Sequence, residues 1–184
     1  MKLTDVTFAY GEKSVFTGRS LTLPNTGITG LTAPSGRGKT TLLRLLAGLE
    51  TAASGTVEGV RKGEYAFLFQ ENRLFDGLTC RGQVSAVLPR GVDPMPYLVA
   101  VGLGTEAEAR VETLSGGMQR RLALARCLAY GREKRVLLLD EPFAGVDADT
   151  ARTIMDYIRA HGWTVVLSAH GQETLALCDT VVEL

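Results

Sequence analysis

Residues Thr32–Leu43 read TAPSGRGKTTLL. Gly38, Lys39 and Thr40 complete the phosphate-binding pattern G-x-x-x-x-G-K-[ST], but Ala33 holds the position of its first glycine. The flanks favour the match. Apolar Ile28–Leu31 predicts a strand before the loop, and Leu42, Leu45, Leu46 and Leu49 recur at i, i+3, i+4 and i+7 after it, the stripe of a helix that Gly48 helps to end. Between such a strand and such a helix, the N–H groups of Ser35–Thr40 can wrap a phosphate, aided by roughly half a positive charge at the helix N-terminus. Gly36 and Gly38 allow close approach or positive φ. Lys39 is a point charge for the β and γ phosphates, and the Thr40 hydroxyl is a Mg²⁺ ligand. Ala33 should cost about 1–2 kcal/mol if its φ is positive and close to nothing if it is negative. Neither case removes the amides, Lys39 or the hydroxyl. Arg37, between the two glycines, is expected to face solvent rather than phosphate.

The rest of the loop's setting comes from composition. The chain has 184 residues, enough for one domain with a real core. Lys+Arg and Asp+Glu are 20 each, with no polybasic tract, so direct nucleic-acid or headgroup binding has no electrostatic support. No apolar run approaches the roughly 18–20 residues of a membrane span, and the N-terminus MKLTDVTFAYG is not a signal peptide. An intracellular, soluble chain is expected, reaching a membrane only through a partner. Cys80, Cys127 and Cys178 are odd in number and widely spaced, so they predict neither a disulfide framework nor a zinc site.

Strands are predicted at Lys2–Phe8, Ser20–Leu23 and Gly27–Leu31, with Pro24-Asn25 as a turn, then at Thr56–Glu58 and Tyr65–Phe69. Residues 71–112 hold Pro89, Pro94, Pro96 and short helical patches at Tyr97–Val101 and Glu106–Val111. They read as a helical insert with loops. A helix follows from Gly117 to Tyr130 with Ser115 as N-cap. Arg135–Leu139 is apolar after its first residue, as in the middle of a parallel sheet, and Thr164–Ser168 reads as another buried strand, with helices at Ala148–Ala160 and Gly171–Leu177 and a last strand at Thr180–Glu183. The alternation predicts an α/β fold with a parallel core and an antiparallel β portion beside it.

A phosphate loop needs a metal anchor. VLLLDEP (136–142) ends its apolar run in Asp140-Glu141, and a carboxylate at the C-terminal end of a parallel strand faces the nucleotide crevice. Asp140 would hold Mg²⁺, and Glu141 would orient or deprotonate the attacking water. Before it stands LSGGMQRRLALARCL (114–128), where Ser115-Gly116-Gly117 opens a helix and makes a second anion-ready N-terminus. Residue physics alone leaves open whether this is a site or only a capped helix.

The order of these elements resembles the ATP-binding cassette (ABC) family nearly end to end. Tyr10 in FAYGEKSVF is similar to the aromatic residue that stacks on adenine, and Gln70 in FLFQENRLF to the glutamine that senses the γ-phosphate and the coupling partner. Leu114–Gly117 is similar to the family signature, Asp147 in PFAGVD to the loop aspartate after the catalytic glutamate, and His170 in VVLSAHG to the switch histidine. The resemblance implies a RecA-like P-loop NTPase core with a compact helical subdomain, approximately 71–130, within a single domain, 1–184. It implies an ATP site built from Tyr10, Ala33, Pro34, Ser35, Gly36, Arg37, Gly38, Lys39, Thr40 and Thr41, with Ser115, Gly116 and Gly117 closing over the ATP of a partner. Metal contacts would come from Thr40, Gln70 and Asp140, and catalysis from Glu141, His170, Gln70 and Lys39.

The implied partners are a second copy or second cassette, integral membrane permease subunits on the cytoplasmic face, and a substrate-binding protein in importers. FQENRLFDGLT resembles the importer cassettes of the nitrate, sulfonate, taurine and thiamine-type groups, which points to import. Met118 departs from the signature's usual glutamine, and the chain stops at Leu184, where many relatives continue. Two other readings stay open on sequence: a non-transport clamp or regulatory cassette, and a degenerate cassette that binds ATP but scarcely hydrolyses it.

Overall fold

The computed structural model describes residues 1–184. In chain order the strands are β1 (Lys2–Tyr10), β2 (Lys13–Thr22), β3 (Ile28–Thr32), β4 (Ser54–Glu58), β5 (Tyr65–Leu68), β6 (Val136–Asp140), β7 (Thr164–Ser168) and β8 (Thr180–Glu183). The helices are α1 (Lys39–Leu46), α2 (Cys80–Ser85), α3 (Met95–Ala100), α4 (Gly116–Gly131), α5 (Ala148–Ala160) and α6 (Gln172–Ala176), with a 3₁₀ turn at Val111–Thr113.

Two sheets form. β5-β6-β7-β3-β8 is parallel throughout, and β2-β1-β4 is antiparallel. The inner strands β6 and β7 are short and largely apolar because both of their faces are covered, whereas the edge strand β8 is mostly exposed. Along β6, Leu137 and Leu139 face the core formed with α4 and α5, while Leu138 faces the one formed with α1 and β1. In β7, Val165 and Leu167 go one way and Val166 the other. Each such buried side chain contributes about 1.5–3 kcal/mol. The larger core continues into Leu98, Val101, Leu103 and Leu122, so the helices between β5 and β6 share it with the sheet. Cys80 and Cys127 are buried in it, where burial pushes the Cys127 thiol up to about 12.

Several expectations change. β2 runs from Lys13, not Ser20: its register against β1 is broken by irregularities, and Gly18 has φ 58°, which hides the period of two. α1 ends at Leu46, so Leu49 leaves the apolar stripe and is 47% exposed. Gly48, at φ 65°, turns the chain away. Glu106–Val111 is not helical; turns lead through this segment into the 3₁₀ turn. By contrast, α5, β7 and β8 have the predicted bounds.

Candidate nucleotide site

The parallel sheet delivers its functional residues at the C-terminal ends of neighbouring strands. β3 leads into the loop of 33–38, β6 into Asp140-Glu141, β7 into His170 and β5 into Gln70. These ends enclose a cavity of about 300 Å³ lined by Ser35, Gly36, Gly38, Lys39, Thr40, Thr41, Gln70, Glu141 and His170, with Tyr10, Lys13 and Val15 from the antiparallel sheet at its mouth.

The loop has the geometry that an anion cradle needs. Gly36 and Gly38 have φ of 77° and 95°. The N–H groups of Ser35, Gly36 and Gly38 have no acceptor within the chain, and α1 begins at once after them. Gly38 is required twice over, since a Cβ there would come within 2.7 Å of Val15 Cγ1 and 2.8 Å of the Phe16 ring. Ala33 does not adopt positive φ, so the alanine strains nothing. Its carbonyl instead accepts a hydrogen bond from Lys39 Nζ at 2.7 Å, which keeps the 6%-exposed lysine paired. Arg37 is exposed and faces a second hollow, with Arg19 and Phe16, away from the cradle.

At the other wall, Asp140 is buried. Oδ1 accepts the Ser168 hydroxyl at 2.6 Å, and Oδ2 has no partner. Ser168 Oγ in turn accepts the Glu141 N–H at 2.9 Å. Glu141 has φ 51°, one of three non-glycine residues in that region, a conformation costing about 1–2 kcal/mol. Its carboxylate lies 2.8 Å from His170 Nε2. Tyr10, half-exposed at the rim, packs edge-on against Phe8 and donates its hydroxyl to Glu50.

Ser115, Gly116 and Gly117 do not line the cavity. Ser115 Oγ caps its own helix through Met118 N–H, and Ser115 and Gly116 are exposed. Gly117 packs so closely on the loop after Glu141 that a Cβ would stand 2.4 Å from Gly145 O. Met118 is partly buried against the larger core, which explains an apolar side chain there. Asp147 caps α5 through Thr150 N–H at 2.9 Å.

Three contributors escaped the sequence reading. Lys13 brings a second cation to the cavity, Ser168 sets Asp140 and Glu141, and Arg120 is buried behind the site with five acceptors. Burial pulls the Arg120 guanidinium below its ordinary value, and the Asp140 and Glu141 carboxylates act against that. Lys13 and Ser168 sit beside recognised motifs, on β2 and two residues before His170. Arg120 offered no such signal within its Gln119-Arg120-Arg121 run.

Comparison with known proteins agrees with this geometry. A family model described as ABC transporter matches residues 16–144. The aliphatic sulfonates import ATP-binding protein SsuB 2 of Xanthomonas axonopodis pv. citri is 36% identical, over 100% of this chain and 67% of that protein. SsuB 1 of Pseudomonas savastanoi pv. phaseolicola is 40% identical, over 95% of this chain and 76% of that protein. The sulfate/thiosulfate import ATP-binding protein CysA of Vibrio cholerae is 38% identical over 99% of this chain, which spans only 55% of that protein's length. Among solved structures, the dimeric MJ0796, a bacterial ABC transporter cassette, superposes with a TM-score of 0.83 at 25% identity, covering 100% of this chain and 93% of that one. Its post-hydrolysis state with ADP and Pi gives 0.81 at 24% identity and the same coverage. The ordered motifs, the parallel sheet that presents them and these relatives together place the chain in the ABC transporter family, as an ATP-binding cassette.

Proposed function

We propose that this chain is the ATP-hydrolysing subunit of an importer, and that it works as a pair with a second copy or a second cassette. One observation carries the pairing. The chain presents a phosphate cradle and, outside that cavity, an exposed capped helix N-terminus at Ser115-Gly116, so it supplies two halves of a site that it does not itself join. A head-to-tail partner would bring its Ser115–Gly117 over the ATP held by Lys39. The relatives named as import subunits support import, as does the resemblance at FQENRLFDGLT. Phe75, 53% exposed on this segment after Gln70, suits contact with permease subunits at the cytoplasmic face of a membrane. No helix of the chain is long and apolar enough to cross one itself.

Within the site, position supports the following roles. The loop amides and Lys39 would hold the β and γ phosphates, and Tyr10 would stack on the adenine. The buried, unpartnered Oδ2 of Asp140, with Thr40 and Gln70, would hold a Mg²⁺ ion. When bound, the ion neutralises phosphate charge. Glu141 orients the water that attacks the γ-phosphorus in line and takes its proton as the bond to the β-γ bridging oxygen breaks. His170, whose Nε2 lies 2.8 Å from the Glu141 carboxylate, would fix that carboxylate's direction.

The decisive experiment is sedimentation of Glu141→Gln with saturating Mg·ATP. An ATP-dependent dimer is expected. A monomer under those conditions would overturn the paired reading. Tagged chain recovered from its native cell should bring an integral membrane protein with it, whereas soluble partners alone would favour a clamp or regulatory cassette.

A further inference from the structure

Arg120 lies on α4, five residues beyond the helix's cap, and is 3% exposed. Its guanidinium reaches two segments distant in sequence. The two N–H groups of Nη1 are shared among three acceptors, Phe69 O at 2.7 Å, Gln70 O at 3.1 Å and Asn72 Oδ1 at 3.2 Å. Nε donates to Glu141 O at 3.0 Å, and Nη2 donates to Asp140 O. One buried group thus joins the stretch carrying Gln70 to the backbone of the two carboxylates.

We propose that Arg120 is a positioning residue for hydrolysis, which holds the Glu141 backbone in the left-handed conformation that aims its carboxylate at His170 and ties that conformation to the placement of Gln70. A non-glycine residue persists at positive φ only where its surroundings over-determine it. Glu141 is fixed at three points: Ser168 Oγ on its N–H, Arg120 on its carbonyl and His170 on its side chain. Of these, only Arg120 also touches the Gln70 segment. Arginine suits the task because its fork offers donors on three nitrogens in fixed directions, and each of the three has an acceptor in one of the two segments. Lysine has three donors on one atom, and glutamine is shorter with two. Neither can reach both loops and leave no carbonyl unpaired.

Arg120 does not line the nucleotide cavity. Its loss should therefore act on the chemical step and spare ATP binding. The inference rests on the reading that this chain hydrolyses ATP at Glu141, and the test separates the two.

Steady-state turnover of Arg120→Lys and Arg120→Gln should be compared with wild type, with affinity measured by titration of a fluorescent ATP analogue. We expect kcat to fall about 10- to 100-fold, as for a misplaced catalytic group. Affinity should stay within about 2-fold. Combining either change with Gln70→Ala should cost less than the product of the single effects, since both act through one linkage. Asn72→Ala removes one acceptor and leaves the carbonyls paired. It should lower kcat by about 2- to 5-fold without changing affinity, and it decides the matter if the Arg120 variants do not fold. Wild-type kcat in the folded Arg120 variants, or in Asn72→Ala where those do not fold, overturns the proposal. So does a parallel fall of kcat and affinity. A wild-type chain with no turnover overturns the hydrolysis reading and this one with it.

Discussion

His170 Nε2 lies 2.8 Å from a carboxylate oxygen of Glu141, and Glu141 makes that contact from left-handed backbone at φ 51°. The residue after β6 therefore does not simply continue the strand. It is turned out of the strand direction and met by a residue from the end of β7. Because the two residues form one unit, their losses should not multiply. His170→Ala and Glu141→Gln should each lower turnover, within the roughly 10²–10⁴-fold range of a general base. The double variant should be little slower than Glu141→Gln alone. Multiplicative effects in a three-way kinetic comparison would show that they act independently.

The two glycines of the signature have different tasks. A Cβ at Gly116 meets nothing within 4 Å, whereas one at Gly117 meets the backbone carbonyl of Gly145. Gly117→Ala should destabilise the chain by about 1–3 kcal/mol in urea unfolding, because backbone cannot move aside as a side chain does. Gly116→Ala should leave unfolding nearly unchanged and instead weaken the ATP-dependent dimer in the Glu141→Gln background. The reverse ranking in unfolding would refute the close packing of α4 on the loop before α5.

The Asp147 carboxylate lies below its usual range, first because the Thr150 N–H donates to it. A depressed folded value stabilises the fold above the unfolded value, about 3.9, and that contribution disappears as the pH falls through the folded one. Asparagine caps helices about as well but does not titrate. Melting curves of wild type and Asp147→Asn from pH 7 to pH 3 should therefore converge or cross near the acid end, with wild type losing more. Parallel curves would remove Asp147 from the acid sensitivity of the fold.

Ala33 has been relieved of suspicion by its backbone. With φ negative, glycine would gain nothing there and would add freedom to the unfolded chain. Ala33→Gly should lower the unfolding free energy by about 0.4–1 kcal/mol. A gain in stability would mean that the alanine is strained after all.

The legible parts of this chain were those where a local pattern and the tertiary environment agree. β6 and β7 are apolar in sequence because the sheet buries both of their faces, and α5 carries its cap, its inward stripe and its end in consecutive residues. The placement of Gly38, Lys39 and Thr40 between β3 and α1 was readable because the motif depends on backbone and spacing. The first half of β2 was not, because its alternation is broken where it twists along β1. Leu49 misled because periodicity says nothing of Gly48 turning the chain two residues after α1 ends. Arg120 was invisible for a different reason: its five acceptors lie 20 to 51 residues away, and no helix pattern marks which arginine points inward.

Lys39 has a further consequence. Its ammonium group rests on the carbonyl of Ala33, an oxygen of the very loop it serves. A phosphate arriving there does not meet a bare charge waiting for a counter-ion. If Lys39 turns to it, a neutral competitor is displaced, and association becomes an exchange in which one lysine contact is given up for a stronger one. The heat released should be smaller than a count of new contacts suggests. The competitor also gives this nearly buried charge a partner without bound phosphate, so the core need not tolerate a naked cation.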